Sequence, residues 1–175
     1  PTIEVPGIEV NTGALGHGLS IGVGMALAAK MNHQSYKTYV LMGDGEQGEG
    51  SIYEAAMAAN QYKLDNLVAI IDRNRLQISG TTEEVMAIED IYQRWTALGW
   101  DVKHMNGDNI EDIVNCFSEI DFESKRPHLL ISHTTKGKGV SYMKNVTKWH
   151  HGVPNQEEFD LAIKEISERI ATLEK

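Results

Sequence analysis

Residues 38–74 read TYVLMGDGEQGEGSIYEAAMAANQYKLDNLVAIIDRN. Within them, Thr38–Met42 and Leu67–Ile71 are apolar runs of strand length, and Ser51–Tyr62 between them has the composition of a helix. Nearly continuous apolar runs are typical of strands that are covered on both faces, and the strand–helix–strand order favours parallel pairing. These residues therefore predict one βαβ unit of an α/β fold.

The same alternation continues on both sides of this unit. Upstream of it, a helix is predicted at Gly18–Met31. Downstream, strands are predicted at Trp100–His104 and His128–Ser132, and helices at Ile88–Leu98, with Gly99 past its end, and at Ile110–Ile120. A last helix is predicted after Asn155, which caps it. One apolar face of that last helix predicts either core packing or a docking surface. We expect a doubly wound parallel sheet with helices on both faces, forming a single domain over residues 1–175.

The bulk composition limits the classes of function. The chain has 175 residues, 41% of them hydrophobic, which suffices for one core. A net charge of −9 without basic runs disfavours nucleic acid and membrane partners. Cys116 is the single cysteine, so no internal disulfide forms and a Cys-rich zinc site is excluded. A free thiol fits a reducing compartment, and we predict a cytoplasmic protein.

A glycine-rich segment, Gly43–Gly48, follows the first predicted strand. It matches the GxGxxG pattern of dinucleotide-binding folds, and Asp72 lies near the position of their acidic residue. However, Asp44 stands between the first two glycines, where the backbone of such folds approaches a pyrophosphate. A carboxylate there would repel the ligand unless a cation lay between them. The segment therefore favours a metal–phosphate site over a dinucleotide site.

The second half of this predicted site is Asn74, which follows the next strand, 30 residues after Asp44. A right-handed crossover brings the ends of neighbouring parallel strands to the same edge of the sheet. Mg²⁺ takes oxygen ligands, usually one or two carboxylates together with substrate phosphates. The pair thus predicts a Mg²⁺–diphosphate site. The alternative is that residues 43–45 form a plain turn and Asn74 a cap.

At these residues the chain resembles the thiamine diphosphate enzymes, and over a longer stretch the transketolases. Their signature is Gly-Asp-Gly after one strand and an Asn past the next. The motifs that carry the resemblance extend from about Pro6 to Asn155: Thr12–Gly18 with Gly22–Ala26, Gly43–Gly50 with Tyr53–Ala55, Lys63–Leu67, Ile71–Gly80, Thr134–Val140 and Trp149–Asn155. We identify the chain as resembling the thiamine-diphosphate-binding (PP) domain of a transketolase, of the kind split into two chains.

The resemblance implies roles for the matching positions. Asp44 and Asn74 would bind Mg²⁺, or Ca²⁺ or Mn²⁺ in its place, through their side chains, and Leu76 through its carbonyl. The resemblance also implies a set of cofactor-binding residues: Gly13, Leu15, Gly43, Asp44, Gly45, Glu46, Asn74, Leu76, Ile78 and His151. Of these, His151 is also the implied catalytic residue, near the reacting centre. Gly13 and Leu15 would lie near the aminopyrimidine, Gly45 at the diphosphate and Ile78 near the thiazolium.

The implied reaction is transfer of a two-carbon ketol unit between sugar phosphates, as in the pentose phosphate pathway. The motifs leave the sugars open, unusual ketoses and sulfo-sugars included. The flanking motifs favour a transketolase over two relatives with the same signature, 1-deoxyxylulose-5-phosphate synthase and 2-oxoacid dehydrogenase E1. A non-catalytic fragment is a further alternative.

The chain departs from the family pattern at two places. His17 stands where many relatives have Gln, and the family's upstream segment before Pro6 is absent, which predicts a PP domain partial at its N-terminal side. The glutamate that activates the cofactor lies on the pyrimidine-binding (Pyr) domain of the family. We therefore expect a Pyr-domain partner chain, a dimer or heterotetramer, and no activity without that partner.

Overall fold

The computed structural model describes residues 5–173 of the chain, and its contacts divide into two compact units. The first unit contains Pro1–Arg73 and Ile88–Thr134, and the second contains Asn74–Ala87 and Thr135–Lys175. Residues 1–4 and 174–175 lie outside the described residues. The single domain expected over 1–175 stays a prediction.

The first unit is built on a four-stranded parallel sheet. Its strands are β1 (Thr38–Gly43), β2 (Leu67–Arg73), β3 (Asp101–Asn106) and β4 (His128–His133), in the order β1-β2-β4-β3. In the register of β1 and β2, Gly43 lies opposite Asp72. The predicted parallel sheet is confirmed, and the carboxyl ends of β1 and β2 lie side by side.

Helices cover both faces of this sheet. In the first unit these helices are α1 (His17–Met31), α2 (Gly50–Gln61), α4 (Ile91–Ala97) and α5 (Ile110–Ser118). The second unit has its own helices, α3 (Thr82–Val85) and α6 (Gln156–Leu173). Side chains of α1, α2 and α4 share a buried apolar cluster with one face of the sheet, and α5 packs on the other face against Val68 and Leu130. The doubly wound α/β fold is therefore confirmed.

Close packing of α1 on the sheet explains its glycine-rich sequence. A Cβ atom added to Gly22 would lie 2.4 Å from Cγ2 of Val40 on β1, far inside van der Waals contact. Leu19 and Ala26, one turn to either side, are fully buried. Glycine at position 22 thus lets the helix approach the strand that carries Asp44 at its end.

Several element boundaries differ from the sequence prediction by one to three residues, among them those of α4 and β3. The helix expected at Ile88–Leu98 begins at Ile91, because Asp90 caps it by accepting the N–H of Gln93 at 3.2 Å. Ile88 lies before the helix and is buried in the core. The third strand runs from Asp101 to Asn106, later than predicted. Gly99, with φ of 88°, ends the helix in the left-handed conformation, as predicted.

In the second unit, α6 begins after Asn155 as predicted. The side chain of Asn155 accepts the N–H of Glu158, and the carboxylate of Glu158 accepts the N–H of Asn155, each at 2.9 Å. The apolar face of α6 is exposed over the described residues, so core packing is the wrong alternative for it; its members are Phe159, Ile163, Ile166, Ile170 and Leu173. Over residues 5–173, no helix has the length and apolarity to cross a membrane.

Candidate functional site

Asp44 is a buried carboxylate at the carboxyl end of β1. Its side chain is only 2% exposed. One oxygen accepts a hydrogen bond from the N–H of Gly45 at 2.8 Å, at the start of the 3-10 turn Gly45–Gly48. The other oxygen accepts a hydrogen bond from Nη1 of Arg73 at 3.1 Å. Asp44 is thus held in one orientation by the backbone that follows it and by a guanidinium from β2.

Arg73, the last residue of β2, is held between two carboxylates. Its side chain is 1% exposed, and its Nη2 donates to Oε1 of Glu89 at 2.5 Å. Burial by itself would lower the pKa of Arg73, but hydrogen bonds and coulombic attraction from Glu89 and Asp44 outweigh burial and raise its pKa above the ordinary value. The guanidinium is therefore a fixed positive charge beside Asp44.

Glu46 connects the end of β1 with the start of α1. Its two carboxylate oxygens accept the backbone N–H groups of Gly16 at 2.8 Å and Gly43 at 3.1 Å. Gly16 caps α1 with φ of 85°, and a Cβ atom there would lie 2.8 Å from Cβ of Glu49. Only glycine fits this conformation and this close approach. The side chain of Glu46 therefore organises the protein backbone around Gly43-Asp44-Gly45.

The loop that precedes α1 exposes Gly13 and Leu15. The hydroxyl of Thr12 accepts the N–H of Ala14 at 3.0 Å, which makes a local turn. The side chain of Leu15 is 54% exposed, and no atom lies within 4 Å of the position that a Cβ atom on Gly13 would occupy. This loop has an apolar side chain and open space available for a ligand.

In the second unit, the loop after β2 folds back on itself. Oδ1 of Asn74 accepts the N–H of Leu76 at 3.0 Å, and Leu76 pairs antiparallel with Thr81. The N–H of Gln77 donates to the carbonyl of Gly80 at 2.8 Å, which closes the turn. Ile78, inside this turn, is 61% exposed. The loop fixes the amide of Asn74 and presents an apolar side chain.

His151, also in the second unit, follows the 3-10 turn Thr147–His150 and is exposed. Its ring makes an edge contact with His150, with centroids 4.9 Å apart. At Gly152, an added Cβ atom would lie 2.8 Å from the carbonyl oxygen of Lys148, so the backbone makes a tight turn here. This turn holds the imidazole of His151 at the surface of its segment.

The predicted site residues thus form three groups. In the first unit, Glu46 joins Gly43-Asp44-Gly45 to the loop that carries Gly13 and Leu15. In the second unit, one loop carries Asn74, Leu76 and Ile78, and a separate segment carries His151. Over residues 5–173, no cluster of three or more His, Cys, Asp or Glu side chains suited to a metal occurs. The proposed ligands are instead carboxylate, amide and carbonyl oxygens, the donors that Mg²⁺ prefers.

Comparison with known proteins decides the family. Residues 1–168 match the family described as "Transketolase, thiamine diphosphate binding domain". The chain belongs to this family. Among solved structures, transketolase from Campylobacter jejuni superposes with a TM-score of 0.84 at 34% identity, over 92% of this chain and 26% of that one.

Two curated relatives are subunits of transketolases. The chain is 76% identical to an apulose-4-phosphate transketolase subunit from Phocaeicola vulgatus, over 100% of this chain and 62% of the relative. It is 38% identical to a 6-deoxy-6-sulfo-D-fructose transketolase subunit from Clostridium sp., over 91% of this chain and 58% of the relative. The chain thus spans about three fifths of the length of these relatives.

Sequence reasoning missed two residues beside the transketolase Gly-Asp-Gly motif, Arg73 and Glu89. One signal was available, because an arginine that ends an otherwise apolar strand is expected to pair with a carboxylate once it is buried. The sequence does not say which carboxylate, because Glu89 lies 16 residues after Arg73 and outside any regular element. Only the folded chain identifies these partners.

Proposed function

We propose that this chain binds thiamine diphosphate through Mg²⁺, or Ca²⁺ or Mn²⁺ in its place, held by the side chains of Asp44 and Asn74 and the carbonyl of Leu76. The observation that supports this most is the buried carboxylate of Asp44 at the end of β1, in a chain of the thiamine diphosphate binding family. All three ligands are oxygens, and a single carboxylate leaves the ion enough positive charge to attract a diphosphate.

The surroundings of Asp44 support the further contacts with the cofactor. The space around Gly43 is open, since a Cβ atom added there would meet no atom of a non-adjacent residue within 4 Å, and this leaves room for a diphosphate beside the end of β1. We assign Gly43, Gly45 and Glu46 to the diphosphate end of the cofactor. The exposed side chain of Leu15, beside Gly13, suits the aminopyrimidine, and that of Ile78 suits the thiazolium.

His151 is the proposed catalytic residue. An imidazole has two ring nitrogens, which can donate or accept a hydrogen bond or a proton. Its exposed ring leaves these nitrogens accessible to a substrate oxygen. We propose that His151 either orients that oxygen or exchanges a proton with it, near the diphosphate of the cofactor.

The proposed reaction is transfer of a two-carbon ketol unit from a ketose phosphate to an aldose phosphate. Thiamine diphosphate, when bound, supplies the nucleophilic carbon, and the protein binds and orients the reactants. The 76% identical relative carries apulose 4-phosphate in its name, so this branched sugar phosphate is the first donor to test. A role in the pentose phosphate pathway stays a prediction.

A partner chain is part of the proposal. The two relatives described above are each named as one subunit of a transketolase, which supports assembly with a Pyr-domain chain as a dimer or heterotetramer. We expect the 175-residue chain to lack ketol transfer activity by itself, because the family's cofactor-activating glutamate lies on that partner. The cytoplasmic location also stays a prediction.

Thermal unfolding with and without thiamine diphosphate and Mg²⁺ tests the binding proposal. Ligand at about 100 times its Kd should raise the Tm by about 5–10 °C, because it binds only the folded state. Asp44→Asn should abolish the rise, whereas Asp160→Asn, at an exposed carboxylate on α6, should leave it unchanged. Equal shifts for wild type and Asp44→Asn would contradict the metal site.

Co-purification and a ketol transfer assay test the proposed assembly. The chain should capture a Pyr-domain protein, and the complex should convert a ketose phosphate in the presence of an aldose phosphate acceptor. His151→Ala should reduce kcat in the complex by a larger factor than it reduces cofactor affinity, so that most of the Tm rise with cofactor persists. Ketol transfer by the purified chain alone would overturn the need for a partner.

A further inference from the structure

A row of three charged side chains ends at Asp44. Asp44 and Arg73 are buried, with side chains 2% and 1% exposed, whereas Glu89 at the far end is 43% exposed. Asp44 accepts a hydrogen bond from Nη1 of the guanidinium, and Glu89 accepts one from Nη2. The row carries one net negative charge.

This arrangement is unusual beside a proposed metal ligand, because Arg73 carries a charge of the same sign as the ion. A guanidinium stays protonated in proteins, so its charge cannot be removed by releasing a proton. In a buried environment, a positive charge within hydrogen-bond distance of Asp44 would weaken the attraction between that carboxylate and a divalent ion. Arg73 also neutralises the carboxylate that the ion requires.

Glu89 offsets this effect. Its oxygen lies 2.5 Å from Nη2 of Arg73, a shorter contact than the 3.1 Å between Nη1 and Asp44. Both contacts are charge-assisted hydrogen bonds, so Glu89 is a second counter-ion of the guanidinium beside Asp44. Asp44 therefore keeps more of its negative charge for another cation, while its hydrogen bond to Arg73 still fixes its orientation.

We propose that Glu89 sets the affinity of the Asp44 site for its divalent ion, acting through Arg73 as a positioning residue. This inference rests on the proposed function, because it takes Asp44 as a ligand of the ion. Glu89 supplies the negative charge that balances Arg73, and Arg73 in turn orients Asp44 through its hydrogen bond. The cation class that suits such a site is a divalent ion with oxygen preference.

The test is a titration with Mn²⁺ at a fixed excess of thiamine diphosphate, on the full protein with any chain that co-purifies with it. Electron paramagnetic resonance of free Mn²⁺ gives the Kd without any measurement of activity. Glu89→Gln removes the charge and keeps one oxygen acceptor, which can still face Arg73, while the other oxygen, which accepts the N–H of Ile91, is replaced by an NH2 group. It should raise the Kd on the order of tenfold, because the charge of Glu89 then no longer offsets that of Arg73 beside Asp44. Glu119→Gln, in the exposed pair with Lys103, is the matched control and should leave the Kd unchanged.

A second pair of variants separates charge from structure. Glu89→Asp restores the charge and should recover part of the lost affinity. Arg73→Gln combined with Glu89→Gln removes both outer charges and should bring the Kd back to within about threefold of wild type if the double variant folds, which the Tm in metal-free buffer checks. A merely structural role for Glu89 predicts no such recovery.

The possible results distinguish the two proposals. Wild-type protein that binds Mn²⁺ while Glu89→Gln binds it equally well overturns the role of Glu89 and leaves the metal site intact. Wild-type protein that binds no Mn²⁺ overturns both. Weaker binding by Glu89→Gln, with Glu119→Gln unchanged, supports the proposal even if the double variant does not fold.

Discussion

The segments that carry Asp44 and Asn74 are held by different kinds of contact. The carboxylate of Asp44 pairs with Arg73, 29 residues later in the chain, and both side chains are buried. The amide of Asn74 accepts an N–H from Leu76, two residues later. One proposed ligand therefore depends on the packed sheet, and the other on a turn that its own neighbours form.

The difference follows from charge. A buried carboxylate needs a counter-charge, and for Asp44 a neighbouring strand supplies it, whereas a neutral amide needs only a hydrogen bond. Folding of the first unit therefore buries the Asp44 carboxylate together with the guanidinium of Arg73. Substitution at Asp44 should affect both stability and ion binding, whereas substitution in the Asn74–Thr81 loop should mainly affect ion binding.

The largest expected effect is that of Asp44→Ala. It leaves the buried guanidinium of Arg73 with Glu89 as its remaining carboxylate partner in the row, and breaking a buried ion pair costs about 3 kcal/mol. Urea unfolding followed by tryptophan fluorescence should show this loss in the free energy of unfolding. A loss below about 1 kcal/mol would show that burial does not couple Asp44 to folding.

Glu46→Ala should have the next largest effect. It removes the carboxylate that accepts the N–H groups of Gly16 and Gly43, and hydrogen bonds to a charged acceptor contribute about 1.5–3 kcal/mol each when buried, less at this partly exposed position. We expect a loss of about 2 kcal/mol by the same urea measurement. Glu46→Gln, which keeps one oxygen acceptor, should lose about half as much; an equal loss would contradict the two-bond description.

Asn74→Ala tests the difference between the Asp44 and Asn74 segments most directly. It removes one local acceptor, for which about 0.5–1 kcal/mol is expected in unfolding, yet it should abolish the Tm rise with thiamine diphosphate and Mg²⁺. Asn74→Asp keeps the acceptor and adds a charge, so it should restore the stability. A stability loss for Asn74→Ala as large as that for Asp44→Ala would remove the distinction between the two segments.

Sequence alone predicted the fold where periodicity is strong. The four strands and the helices α1, α2, α5 and α6 lie near their predicted positions, because apolar runs and cap residues such as Asn155 are local signals. The short helix Thr82–Val85 was not predicted, since four residues carry no periodicity. The start of the helix at Ile91 was misplaced because Ile88 belongs to the apolar pattern without being helical.

The candidate site was predictable only in part. The Gly-Asp-Gly motif and Asn74 are visible because each directly follows an apolar strand. The contact of Glu46 with Gly16, 30 residues earlier, and the contact of Arg73 with Glu89 depend on tertiary structure. A single sequence has no signal for such pairs, so the counter-charges of Asp44 emerge only once the strands are placed side by side.

The smallest expected effect lies in the Asn74–Thr81 loop and is a pH dependence. The hydroxyl of Thr81, and then its backbone N–H, donate hydrogen bonds to the carboxylate of Glu84, and they lower the pKa of Glu84 from its ordinary 4.5 despite slight desolvation. A lowered folded-state pKa means that the unfolded chain binds the proton first. The stabilisation is therefore present above the ordinary pKa and is lost as the pH falls through the lowered one.

Hydrogen exchange at the amide of Thr81 should accordingly become faster between about pH 5 and pH 3 than its intrinsic pH dependence predicts. Thr81→Val removes the hydroxyl, so the Glu84 carboxyl, followed by NMR, should titrate at a higher pH than in the wild type. Thr172→Val, at a threonine on α6 whose hydroxyl bonds to the carbonyl of Arg169, should leave the Glu84 titration unchanged. An unchanged Glu84 titration in Thr81→Val would mean that the hydroxyl of Thr81 does not stabilise the Glu84 carboxylate.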